Sequence, residues 1–165
     1  MKISIHMAIE PDARAIAALL TAAADDLTSR SGQGHWSIAV SESAALRSIR
    51  SSKVLLARDG ESIVGTLRLA TKKPWAIDVS YFTTVKRAIY LLDMAVAPSW
   101  QRKGIGRRLL EEAREVARAW PGDSIRLDAY DAAAGAGEFY VRCGFVEAGR
   151  VVYRGTPLVY FESVL

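Results

Sequence analysis

At 165 residues, 50% of them apolar and 24% charged, the chain is long enough for one domain whose core needs neither disulfide nor metal. A net charge of +4 suits an anionic ligand but is too small to imply nucleic acid, and the apolar runs are too interrupted for a membrane span. A single cysteine, Cys143, and two distant histidines, His6 and His35, argue against a structural metal, and residues 1–20 lack the features of a secretory peptide, so a cytoplasmic protein is expected.

Residues 2–9 alternate and predict a first strand. Pro11 suits the first turn of a helix with Ile16, Leu19, Leu20 and Ala23 on its apolar face. Ser29 to Ser37, rich in serine and glycine, reads as a loop. Ser43 is the candidate cap of a short second helix carrying Ala44, Leu46 and Ile49. Lys53–Arg58 and Ser62–Thr71 read as strands of a hairpin turned at Asp59-Gly60.

Residues 72–87 are less regular and hold Trp75, Tyr81 and Phe82. The run 88–97 is apolar for most of its length, as for a strand covered on both faces. From about Gly104 to Trp120, Ile105, Leu109, Ala113, Val116 and Trp120 recur at three and four, an amphipathic helix stopped by Pro121-Gly122. Ser124–Ala129 reads as a strand, about Ala132 to Arg142 as a helix, and roughly 145–153 and 157–164 as closing strands. This order predicts one α/β domain over 1–165, with 88–129 a parallel, right-handed crossover.

Gln101-Arg102-Lys103-Gly104-Ile105-Gly106 stand between that strand and that helix. Two glycines let an anion approach the backbone, and the first helical N–H groups lack partners within the helix. Arg102, Lys103, Arg107 and Arg108 add positive charge, so the turn has the makings of a phosphate site. Further along, Arg107–Glu111 and Arg108–Glu112 are spaced to neutralise each other, and Arg114 and Arg118 read as a solvated face. The dinucleotide fingerprint fails, because Leu109 stands where its third glycine belongs and no acid is placed about twenty residues on. The Walker pattern fails too, since no Gly-Lys-Ser or Gly-Lys-Thr occurs.

Preceded by Val96-Ala97-Pro98, the turn resembles the pyrophosphate loop of the Gcn5-related N-acetyltransferase (GNAT) superfamily, Gln/Arg-x-x-Gly-x-Gly/Ala after a Val-x-Pro strand end. Glu138-Phe139-Tyr140-Val141-Arg142-Cys143-Gly144-Phe145 resembles that family's Phe/Leu-Tyr-x-x-x-Gly-Phe. The likeness spans nearly the whole chain and is strongest over 88–149. It implies the acyl-CoA N-acyltransferase fold: a mixed, mostly antiparallel central sheet with flanking helices and a splayed parallel strand pair. It also implies acetyl-CoA lying between the ends of 88–97 and 124–129.

By the same resemblance, backbone groups of Gln101, Arg102, Lys103, Gly104, Ile105 and Gly106, with Arg107 beside them, hold the pyrophosphate. Met94, Ala95 and Val96 run beside the pantetheine arm, and an amide near Met94 or Ala95 polarises the thioester carbonyl. Ala136 and Phe139 lie at the cofactor. Family members often have an asparagine seven residues before the tyrosine; this chain has Ala133, which removes one amide contact.

The activity implied is direct transfer of acetyl from acetyl-CoA to a primary amine of a small molecule or protein. A non-catalytic acyl-CoA-binding module is the alternative. An alkylamine, with a pKa of about 10.4, is mostly protonated near neutrality, so something must take its proton. Tyr140 is, by resemblance, the donor of a proton to the departing thiolate; its other reading is a packed tyrosine. Two residues are candidate bases. Asp93, an acid inside an apolar strand, either faces the acceptor or braces the sheet against Arg126 or a loop amide. His35 sits in a glycine-rich loop that is either a wall of the acceptor site or merely solvated.

Asp128 and Asp131 read as attractors of a cationic acceptor or as helix caps. Trp36, Trp75, Tyr81 and Phe82 read as walls for an aromatic amine or as ordinary packing. Cys143 reads as a helix-end side chain, and no metal is expected. Loops 29–37, 72–87 and 154–157 are expected to shape the acceptor cleft, with dimerisation through the late strands left open.

Overall fold

A computed structural model describes residues 2–165. The strands are β1 (Ile3–Met7), β2 (Lys53–Asp59), β3 (Ser62–Ala70), β4 (Ala88–Val96), β5 (Ser124–Tyr130), β6 (Val146–Tyr153) and β7 (Thr156–Val164). The helices are α1 (Ala13–Ser31), α2 (Glu42–Ser51), α3 (Ile105–Ala119) and α4 (Gly137–Arg142). Hydrogen-bonded neighbours follow the order β1-β2-β3-β4-β5-β7-β6. β4 and β5 are parallel, in register at Ala88–Tyr90 against Ser124–Arg126. The pairs β1–β2, β2–β3, β5–β7 and β6–β7 are antiparallel. This is the mixed, mostly antiparallel sheet with flanking helices that the two motifs imply. Among the described residues no helix is long and apolar enough to cross a membrane.

The chain forms two compact units, one running up to Leu69 and including Leu92–Ala113, the other comprising Ala70–Leu91 and Arg114–Leu165. In the first, Ala13, Ile16 and Ala17 of α1 and Ala45 of α2 pack with Val54 and Leu56 of β2. Burying such side chains is worth about 1.5–3 kcal/mol for each large aliphatic one. α1 continues through Ser29–Ser31, where a loop is expected from composition. Thr28 and Ser29 return their hydroxyls to the carbonyls of Ala24 and Asp26, so the polar side chains serve the helix. Gly32, at φ 80°, ends it. The cap of α2 is Ser41, which accepts from the Ala44 N–H at 3.1 Å, in place of Ser43.

α3 begins one residue after Gly104 and is seated closely. A Cβ at Gly65 of β3 would stand 3.0 Å from Leu109 and 3.2 Å from Ile105. The buried stripe is Ile105, Leu109, Leu110, Ala113 and Ala117, while Val116 and Trp120 are only half-buried. β4 is buried only at Ile89–Leu91; Leu92 and Met94–Val96 are half-buried, and Asp93 is exposed. That differs from the fully covered strand that its composition predicts.

In the second unit, Tyr160 of β7 packs on Phe82 at 5.1 Å between ring centres. Its hydroxyl accepts from the Asp78 N–H at 3.1 Å and donates to Ala76 O, which anchors the irregular segment before β4. α4 is six residues long, shorter than the helix expected from about 132. Residues 132–136 instead hold a bend and a turn closed by Gly135 N–H on Ala132 O; Gly135 is a poor helix former, and a Cβ there would collide with Tyr130 O.

Candidate functional site

The end of β4 leads into a tight connection that presents the glycine turn Gln101–Gly106. Ala97 N–H donates to Val64 O at 2.8 Å, and Pro98–Trp100 make one 3₁₀ turn. Gln101 returns its side-chain amide to Val96 O at 3.2 Å. Arg102 and Gly104 both have left-handed backbone, φ 61° and 81°. A Cβ at Gly104 would meet nothing within 4 Å, so the surface above it is open. Gln101 to Gly104 are exposed, and Lys103 lies over the Trp100 ring at 5.0 Å. The first turn of α3 closes when Arg108 N–H donates to Gly104 O, so the amides of Ile105 and Gly106 precede the helical ladder. The turn therefore fits a bulky phosphate: exposed amides, a helix start and adjacent cations.

Two arginines of α3 differ from their expected roles. Arg108 reaches back to Ile3 O at 3.0 Å in place of pairing with Glu112. Arg114, read as a solvated face, donates to Cys143 O at 2.6 Å and stacks over Phe145 at 5.0 Å. Arg118 does stay on the surface, paired with Glu115.

Asp93 occupies a left-handed conformation, φ 51°, inside β4. Such a non-glycine residue costs on the order of 1–3 kcal/mol and persists only where its surroundings hold it. The holder is Arg68 of β3, whose Nε donates to the Asp93 carboxylate at 2.9 Å. Arg126 is not the partner; it donates to Thr83 O and to the Tyr90 hydroxyl. Arg68 and Asp93 line a cleft of about 640 Å³ with residues of α1, α2, β2 and the segment Ile38–Ser41. His35 is exposed and does not line it.

In the second unit, Tyr140 is 8% exposed among Phe139, Phe145 and Phe161, with ring centres 5.4–6.1 Å away. Burial, then Asp128 and Cys143, push its phenol well above the ordinary tyrosine range, so the hydroxyl keeps its proton. Burial also raises the carboxyl of Asp128 on β5. Asp131 caps no helix; it pairs with Arg150 at 3.3 Å. Ala136 and Phe139 line an open cleft of about 770 Å³. Trp75 is 84% exposed, Tyr81 stands edge-on to Tyr160, Phe82 is buried, and Trp36 donates to Gly32 O.

Within the first unit the structure thus brings Asp93 to a cleft and keeps Met94, Ala95 and Val96 half-buried on the strand that leads to the turn. Arg68 and Arg47, both lining that cleft, were not singled out from sequence. The available signal for Arg68 was a lone cation in an otherwise apolar strand, matched by a lone acid in the next one.

Residues 50–147, which contain both motifs, match the acetyltransferase (GNAT) domain family. A comparison with curated proteins gives no match. Among solved structures, the chain is similar to the PaiA N-acetyltransferase of Thermoplasma acidophilum in complex with coenzyme A, at 17% identity over 100% of both chains with a TM-score of 0.77. It is similar to the ribosomal-protein-alanine N-acetyltransferase of Brucella melitensis at 21% identity, covering 98% of this chain and 99% of that one, TM-score 0.75. It is similar also to yncA of Salmonella typhimurium with its cofactor acetyl-CoA, at 19% identity over 99% and 94% of the two chains, TM-score 0.72. At such identities these structures speak to fold alone, whereas the domain match covers more than half of the sequence. The chain belongs to the acetyltransferase (GNAT) domain family.

Proposed function

We propose that this protein is an N-acetyltransferase, one domain over residues 1–165, that moves an acetyl group from acetyl-CoA directly to a primary amine. The observation that carries this is the exposed turn at the start of α3, where Arg102 and Gly104 are left-handed and the space above Gly104 is open. A diphosphate group fits such a turn by charge and by access to backbone amides.

Acetyl-CoA supplies an acetyl carbon activated as a thioester. Amides of Gln101 to Gly106, with Arg102, Lys103 and Arg107, hold its pyrophosphate, and the backbone of Met94–Val96 runs along the pantetheine. Ala136 and Phe139 complete the cofactor contacts in this reading. An amide near Met94 or Ala95 donates to the carbonyl oxygen as charge develops there, help on the scale of roughly 3 kcal/mol. Asp93 takes the amine proton through water and is preferred to His35, which lies outside the cleft. The C–N bond forms, the C–S bond breaks, and Tyr140 gives its proton to the departing thiolate, to be restored by the second proton that the amine nitrogen loses. Its buried hydroxyl keeps its proton across the physiological range, so a phenol and not a phenolate meets the departing thiolate.

Transfer of labelled acetyl from acetyl-CoA to a mixed amine pool tests this. Acetylated amine is expected, with a loss of about 100-fold or more in kcat for Tyr140→Phe and little change in acetyl-CoA affinity. Tight binding without turnover, indifferent to Tyr140→Phe, would establish an acyl-CoA-binding module in place of an enzyme.

A further inference from the structure

The cleft beside Asp93 has a composition that selects among amines. Its walls are apolar, with Leu20, Ile38 and Val40 at one side, and Ile38 is 67% exposed with nothing covering it. Three ionisable side chains line it: Arg47, Arg68 and Asp93. Arg68 and Asp93 neutralise each other at 2.9 Å, which leaves the one charge of Arg47. Arg47, on the exposed side of α2, makes no ion pair among the described residues. Of the hydroxyls that line it, Ser48, Ser51 and Thr66 donate to backbone carbonyls, while Ser41 accepts from the Ala44 N–H and bonds the Ser43 hydroxyl, so none replaces the guanidinium. The cleft thus offers one uncommitted cation, an apolar wall that needs covering, and a carboxylate next in sequence to Met94. Its volume of about 640 Å³ is that of a small-molecule site.

On the strength of the acetyl-transfer reading above, we infer that the acceptor is an α-amino acid with an apolar side chain and a free carboxylate. The carboxylate pairs with the Arg47 guanidinium, the side chain covers Ile38 and Leu20, and the amino group is directed toward Asp93. The excess positive charge repels polyamines and other polycations. Acetylation at this site joins the amino nitrogen to the acetyl carbon, releases the coenzyme thiol and passes one amine proton to Asp93.

The test is a rate comparison with acetyl-CoA as donor and leucine, valine and phenylalanine as acceptors, against their carboxamides and spermidine. The free acids should exceed the carboxamides by about 10- to 100-fold in kcat/KM, mainly through KM, and spermidine should be slowest. Arg47→Ala should bring acid and carboxamide within about threefold of each other, and Arg47→Lys should restore part of the preference. Arg47 is exposed on its helix, and circular dichroism checks that each variant folds. Carboxamides or spermidine acetylated as fast as the acids, or a preference unchanged in Arg47→Ala, overturns the inference while acetyl transfer stands. Acetyl-CoA binding by calorimetry without turnover of any amino acid also overturns it. Absence of both binding and transfer removes the acetyl-transfer reading, and this inference with it.

Discussion

Asp93 shows how one residue can be both strained and exposed. Aspartate tolerates the left-handed region better than most residues, and Arg68 holds the carboxylate in place. A β-branched side chain has no such tolerance. Asp93→Val should therefore lose about 1–3 kcal/mol more than Asp93→Asn in urea unfolding; equal losses would mean that no strain is stored there. Asp128 makes a second residue-scale prediction. Burial raises its carboxyl pKa, so its contribution to stability is full below the ordinary value near 3.8 and is lost as pH rises through the raised one. Asp128→Asn is uncharged throughout, so its Tm should gain on that of the parent between about pH 3 and about pH 7. A constant difference across that range would show that the charge is already solvated. Asp93 was legible in sequence as an oddity, an acid in an apolar strand. Its partner was not, because Arg68 lies on β3 and only strand register sets the two side by side.

Periodicity reveals elements well where one face is buried and badly where side chains bond locally. The stripe of α3 was visible from Ile105, Leu109 and Ala113, and the glycine turn ahead of it from residue types alone. The extension of α1 to Ser31 was not, since Thr28 and Ser29 carry loop-forming side chains that here bond their own helix. The seat of α3 was also hidden. Gly65 has an ordinary strand conformation, and only the approach of Leu109 and Ile105 shows why a side chain is missing there. Gly65→Val should cost about 1–3 kcal/mol by overpacking, read as a lower urea midpoint. Weakened acetyl-CoA binding should accompany it, because α3 carries the turn. Unchanged stability would mean that the helix shifts freely.

At the scale of the molecule, ligand binding and stability are linked. Acetyl-CoA at 100 times its Kd should stabilise the fold by about 2.7 kcal/mol, visible as a rise in Tm. Because Gln101–Gly104 are exposed, added salt should shrink that rise, and Gly104→Val should abolish it. A rise that persists in Gly104→Val would place the phosphate elsewhere. The family itself was readable before any coordinates, since both motifs depend on residues close in the chain: glycines at a helix start, an aromatic pair ahead of Gly144-Phe145. Local spacing alone determined the glycine turn and the strand and helix around it. Tertiary structure decided the rest: that Asp93 answers to Arg68, that Arg114 is a brace, and that Arg47 borders a cleft. Those partnerships join residues far apart in the chain, and only strand register and helix packing bring such residues within reach.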